Sequence, residues 1–107
     1  MAGATERARI VIVSFADRAT EDRYHNRPTA RARRFPPDVV EIALVKLDML
    51  NAAAALRDLR SPPGNRLEPL RGRLGGKHSI RVNDQWRLVF RWEGNNAHDV
   101  SLTDYHG

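Results

Sequence analysis

From Ser79 to Trp92 the chain alternates with a period of two. Ile80, Val82, Trp86, Leu88, Phe90 and Trp92 fall on one parity, and Ser79, Arg81, Arg87 and Arg91 on the other. Successive side chains of a strand point to opposite faces, so the pattern describes a sheet with one apolar face and one bearing arginine. The register follows from keeping those faces separate. A two-residue turn would pair Ile80 with Arg87 and mix them. A three-residue loop, Asn83-Asp84-Gln85, pairs Val82 with Trp86, Ile80 with Leu88 and Arg81 with Arg87. It also sets Lys77 opposite Arg91. Like charges directly across an antiparallel pair are destabilising, so this register asks for an anion nearby.

The rest of the chain reads as helix-forming sequence before this sheet. Residues 1–9 are small and polar, a flexible tail, and residues 10–107 form one domain. Residues 10–15 are apolar and β-branched, a strand buried on both faces. Asp17 suits the N-cap of a short helix over residues 19–25, and residues 26–34 connect it onward. Pro36 and Pro37 open the longest helix, with Asp38 and Glu41 in its first turn, where carboxylates suit the helix dipole. That helix runs to about Arg57, with Val40, Leu44, Leu47, Leu50 and Ala54 as its inward stripe. Val39, Ile42, Val45 and Met49 make it apolar beyond one face, so either the sheet wraps it or a second protein covers the outside. Residues 61–65, Ser-Pro-Pro-Gly-Asn, force a turn. A last strand over residues 98–102 puts Asp99, Ser101 and Thr103 on the charged face, where Asp99 neutralises Arg91. Asp104, Tyr105 and His106 then emerge beside Arg87 and Arg81. The fold class is α+β, an antiparallel sheet packed against two N-terminal helices in the order β-α-α-β-β-β.

Composition narrows the function. A chain of 107 residues with 41% apolar content has room for one small core. It has no cysteine, which excludes disulfides and thiolate metal sites and suits a reducing cytoplasm. Its apolar runs are too short to span a bilayer, so no membrane role is expected. The histidines show no ligand spacing, so neither a metal nor another cofactor is expected. The net charge is +5, and residues 57–91 hold nine basic side chains against Asp58, Glu68 and Asp84. Charge concentrated in this way is the footprint of a phosphate-binding face. Arginine offers a planar fork of donors that matches phosphate oxygens in pairs, and RNA is the expected anion. At the chain end, His106 titrates near neutrality and suits proton transfer, while Tyr105 suits stacking on a base or donation to phosphate.

In this order of segments the chain resembles the HigB-like (also GraT-like) plasmid-maintenance toxins of the RelE/ParE superfamily. The resemblance runs from about Val13 to His106. It includes Ala19-Thr20-Glu21, Lys46-Leu47-Asp48-Met49-Leu50, Leu56-Arg57-Asp58-Leu59, residues 61–65, Leu67-Glu68, the 79–86 hairpin and the terminal Asp104-Tyr105-His106. It implies a compact β-α-α-β-β-β fold and a ribosome-dependent mRNA endoribonuclease. It also implies a HigA-like antitoxin with a helix-turn-helix domain that neutralises the toxin and represses their operon, so that operator DNA is met only through the antitoxin.

Carried over by position, Arg71 matches the basic residue after Pro-Leu, Arg87 the arginine after the hairpin tryptophan, and Asp104, Tyr105 and His106 the C-terminal active-site residues. The chain departs at Glu68, where some members have histidine, and at His78, where some have an aromatic residue. In the mechanism this suggests, His106 or Glu68 takes the 2′-hydroxyl proton of RNA. Arg87, Arg71 and Arg81 hold the phosphate, Tyr105 orients the substrate and Asp104 fixes His106. Arg73, Lys77, Arg81 and Arg91 bind the RNA backbone. ParE-type relatives share the fold but poison DNA gyrase, and an inactive toxin kept as a co-repressor is the third possibility.

Overall fold

Asp17 begins the first helix because its carboxylate reaches two partners at once. One oxygen accepts from Thr20 N at 2.7 Å, capping α1 (Arg18–Tyr24), and the other accepts from Ser101 Oγ at 2.7 Å. Thr20 Oγ1 in turn accepts from Leu102 N at 3.0 Å, so cap and helix are tied to the last strand. The computed structural model describes residues 11–105; the expected tail at residues 1–9, Ile10 and His106 lie outside them.

The long helix, α2, spans Pro37–Ala52, shorter than the expected end near Arg57. Asp58 explains the difference. Its carboxylate accepts from Ala54 N and Ala55 N at 2.9 and 3.0 Å, which offers this backbone an alternative to the helical ladder. Ala53 turns extended, and residues Leu56–Arg60 form a separate 3₁₀ turn. Ala54 is therefore outside the helix and exposed. The buried face is Val39, Val40, Ala43, Leu47 and Leu50, with Leu44 only partly buried. Ile42 and Val45 remain 41% and 53% exposed, so the sheet does not wrap the outer apolar face.

Four antiparallel strands follow in spatial order: β1 (Glu68–Pro69), β2 (His78–Arg81), β3 (Trp86–Glu93) and β4 (Asn96–Asp104). The hairpin has the expected register, with Ile80 opposite Leu88 and Arg81 opposite Arg87. Asn83 Oδ1 closes the loop by accepting from Gln85 N and Trp86 N, both at 2.8 Å. Ile80, Leu88 and Phe90 lie fully buried against α2, together with Ala97, Val100 and Leu102 of β4. Burial of each Leu, Ile or Phe contributes about 1.5–3 kcal/mol.

Three expectations about the sheet are corrected. The ladder ends at His78–Phe90, and the Lys77 carbonyl accepts from Leu70 N, so Lys77 is not the cross-strand partner of Arg91. The last strand begins at Asn96, after a Gly94-Asn95 turn in which both residues have positive φ, and it carries a bulge. Asp99, with φ 54°, is the extra residue, so Asp99 and Val100 together face the single residue Phe90. Finally, residues 11–15 form no regular strand. They run parallel to β4 with bridges at Ile12–Ala97 and Phe15–Val100, and Asn51 Oδ1 accepts from Val11 N and Ile12 N. Val11 and Ile12 are buried as expected, but Val13 is exposed.

Candidate functional site

Arg87 is the hub of the arginine face. Its Nη1 donates to Ser79 Oγ at 3.0 Å and lies 3.7 Å from Glu68 Oε1, while its guanidinium carbon stands 5.6 Å from the Tyr105 ring centre. The topology explains the grouping. Glu68 pairs with Ser79 across β1–β2, Arg81 with Arg87 across β2–β3, and Arg87 with Thr103 across β3–β4. The Arg87 side chain is 15% exposed and that of Glu68 46%, so the guanidinium is largely buried and the carboxylate open to solvent.

Beside them Glu68, Pro69, Leu70, Arg71 and Tyr105 line an open cleft of about 460 Å³. Arg71 reaches it because Gly72 takes φ +66° at the start of the turn Gly72–Leu74, a conformation open to glycine and costly for other residues. Glu68, Arg71, Arg87 and Tyr105 are thus brought together from three separate stretches of chain. An arginine with donors to spare, a second arginine and a carboxylate can together grip an anion and accept a proton.

The like-charge pairing in the hairpin is relieved from within the chain. Arg81 pairs with Asp84 at 2.5 Å, Arg87 with Glu68, and Arg91 with both Glu93 and Asp99, the last at 3.5 Å. The expected pairing of Asp99 with Arg91 is present. The anion that the register called for is therefore supplied by carboxylates, and Arg81 and Arg91 are engaged in ion pairs. Arg71, Arg73 and Lys77 make no ion pair among the described residues. Asp84 is held below its ordinary value chiefly by its hydrogen bond from Arg81.

Asp104 and Tyr105 diverge. Tyr105 enters the Arg87 cleft, whereas Asp104 pairs with Trp86 and lines a hollow with Trp86 and Phe35. The expectation that Asp104 emerges beside Arg87 is corrected by strand alternation, which sends adjacent side chains to opposite faces. Gln85, not singled out in the sequence, holds both residues. Its carbonyl accepts from Tyr105 N at 2.6 Å, and its Nε2 donates to Asp104 Oδ2 at 3.1 Å. Ser79 was also missed. Its parity was legible, but its role needs the β1 pairing that puts Glu68 beside it. His78 belongs to neither cluster, since it stacks on Phe90 at 6.4 Å on the core side, where desolvation lowers its pKa.

Comparison with known proteins gives a consistent assignment. The family model described as the RelE-like toxin of the type II toxin–antitoxin system HigB matches residues 13–106. Toxin HigB-1 of Vibrio cholerae is 45% identical over 80 residues, covering 75% of this chain and 82% of that protein. An uncharacterised protein of Haemophilus influenzae is 39% identical over 69 residues, covering 64% and 68%. Among solved structures, the YoeB dimer of Staphylococcus aureus superposes with TM-score 0.58 at 23% identity, covering 94% of this chain and 100% of that one. The YoeB–YefM complex of the same organism gives 0.55 at 21% identity, covering 90% and 98%. At these identities the structural likeness establishes the fold.

Proposed function

Since this chain belongs to the RelE-like HigB toxins of type II toxin–antitoxin systems, we propose that it is an mRNA endoribonuclease that acts on the ribosome without a metal. The observation that carries this reading is the Arg87 cluster: a guanidinium anchored by Ser79, with Glu68, Arg71 and Tyr105 at one cleft. RNA brings its own nucleophile, the 2′-hydroxyl, which leaves the protein to position it, move a proton and stabilise charge. Attack of the 2′-oxygen on phosphorus breaks the bond to the 5′-oxygen and leaves a 2′,3′-cyclic phosphate. Glu68 or His106 takes the 2′-hydroxyl proton, and the departing 5′-oxygen gains one. Arg87 and Arg71 hold the non-bridging oxygens, and Tyr105 orients the substrate. Arg73 and Lys77 contribute to backbone binding, while Arg81 and Arg91 reach phosphate only by exchanging their carboxylate partners. Asp104 fixes His106 in this scheme.

The partner in this reading is a HigA-like helix-turn-helix antitoxin, through which alone operator DNA is met. Its docking surface is the outer face of α2, where Ile42 and Val45 are exposed. Among the described residues no helix is long and apolar enough to cross a membrane, in keeping with action in the cytoplasm. Mapping transcript ends after brief induction tests target and chemistry together. Cuts within translated regions that leave a cyclic phosphate on the upstream fragment are expected, whereas metal-activated water generally leaves a different end. Intact mRNA with stalled replication and broken DNA replaces this reading with gyrase poisoning, and intact mRNA with normal growth replaces it with a co-repressor role.

A further inference from the structure

On the other side of the sheet end from the Arg87 cleft lies a second hollow, of about 490 Å³. Phe35 and Trp86 form its aromatic wall, their rings edge to face at 5.8 Å. Arg18, from the first turn of α1, and Arg34, from the turn Ala32–Arg34, stand exposed at its rim and make no ion pair among the described residues. Asp17 also contributes to the lining, but its two oxygens are committed to Thr20 N and Ser101 Oγ. The volume lies in the ordinary range of small-ligand sites, roughly 300–1,000 Å³.

Aromatic rings with unpaired arginines at their edge suit one ligand chemistry above others. An unstacked nucleobase lies against aromatic side chains, and its phosphate is gripped by guanidinium forks. The position fits as well. Asp104 borders the hollow and Tyr105, the next residue, borders the Arg87 cleft, with Gln85 bonded to both. A single RNA strand crossing this strand end meets both recesses.

We propose that the Phe35–Trp86 hollow is a base-binding subsite, which takes a nucleotide adjacent to the cleaved phosphate and holds its phosphate on Arg18 and Arg34. It rests on the nuclease reading for its neighbour, the Arg87 cleft, but its occupancy is measurable without cleavage. Adenine offers the aromatic wall a larger stacking face than uracil, so adenine is the preferred base.

The test uses the whole chain and 2′-O-methyl RNA hexamers, which lack the nucleophile. Binding of hexaadenylate shifts the indole N–H resonance of Trp86 and leaves that of Trp92 in place, and hexauridylate binds more weakly. Arg18→Glu and Arg34→Glu each weaken hexaadenylate binding about tenfold, equivalent to about 1.4 kcal/mol, with unchanged melting temperature. Arg60→Glu, the same charge change elsewhere, has little effect. The proposal is overturned by no measurable binding, by binding that leaves Trp86 silent, by an equal loss in Arg60→Glu, or by a Trp86 resonance that answers only to the antitoxin. A responsive Trp86 with intact transcripts in induced cells removes the nuclease reading and keeps the subsite. Cleaved transcripts with a silent Trp86 do the reverse.

Discussion

Asp22 and Arg87 are each the centre of a charged cluster, and they have opposite fates. Asp22 is a buried carboxylate with every oxygen engaged: Arg27 Nη1 at 3.3 Å on one, Thr29 Oγ1 at 2.9 Å and Arg31 Nε at 2.6 Å on the other. Burial by itself would raise its pKa, but these three hydrogen bonds outweigh it and hold the carboxyl below its ordinary 3.8. Bonded on both oxygens and buried, the carboxylate is closed to a ligand, and the cluster pins the 27–31 connection to α1. Arg87 has five donor hydrogens. One goes to Ser79, and the Glu68 oxygen at 3.7 Å is too distant for a hydrogen bond. A saturated cluster stabilises the fold, and an unsaturated one at a cleft is available for chemistry.

The sharpest way to break this contrast is to remove each centre. Arg87→Ala should cut mRNA cleavage about 100- to 1,000-fold, the usual loss for a donor aimed at a developing oxyanion, with little change in melting temperature. Quantifying cyclic-phosphate ends at matched protein levels checks it, and wild-type cleavage contradicts the assignment. Asp22→Asn should do the opposite, lowering the melting temperature while leaving cleavage per folded molecule intact. It should also flatten the acid limb. Because the folded pKa of Asp22 is depressed, its stabilisation is complete above 3.8 and is lost as pH falls through the folded value. Melting curves at falling pH should show a steeper loss for the parent than for Asp22→Asn, and equal slopes would refute the role.

Smaller effects refine the comparison. Arg71 is exposed, and in the proposed mechanism it makes one contact to substrate, so Arg71→Ala should cost roughly tenfold in cleavage, about 1.4 kcal/mol. A loss as deep as that of Arg87→Ala would make the two arginines equal partners. His78 lies on the core side, its pKa lowered from 6.5 by burial. Its neutral form is the one the fold prefers, so the parent should lose stability as pH falls below 6.5 through the folded value. His78→Phe, stacking on Phe90, should remove that mild loss with cleavage unchanged. An unaltered pH profile would show that the imidazole stays hydrated.

Residue pattern alone determined the alternating hairpin, its Arg81–Arg87 register, the opening of α2 at Pro37 and the Asp17 cap. These rest on near neighbours and on the period of side-chain direction, which the sequence displays directly. The Glu68–Arg71 stretch was recognisable as extended and charged, and Tyr105 as a candidate for the site through the family pattern. Only the tertiary structure decided what those groups face. Strand pairing of Glu68 with Ser79 placed a carboxylate and a hydroxyl at Arg87, and alternation at the end of β4 parted Tyr105 from Asp104. Asp58 ended α2 early, and a left-handed Asp99 shifted β4 by one residue, both through local backbone choices that compete on nearly equal terms in the sequence. The Phe35–Trp86 hollow had no sequence signal, because its walls come from segments about fifty residues apart that meet only when the sheet edge packs beside α1.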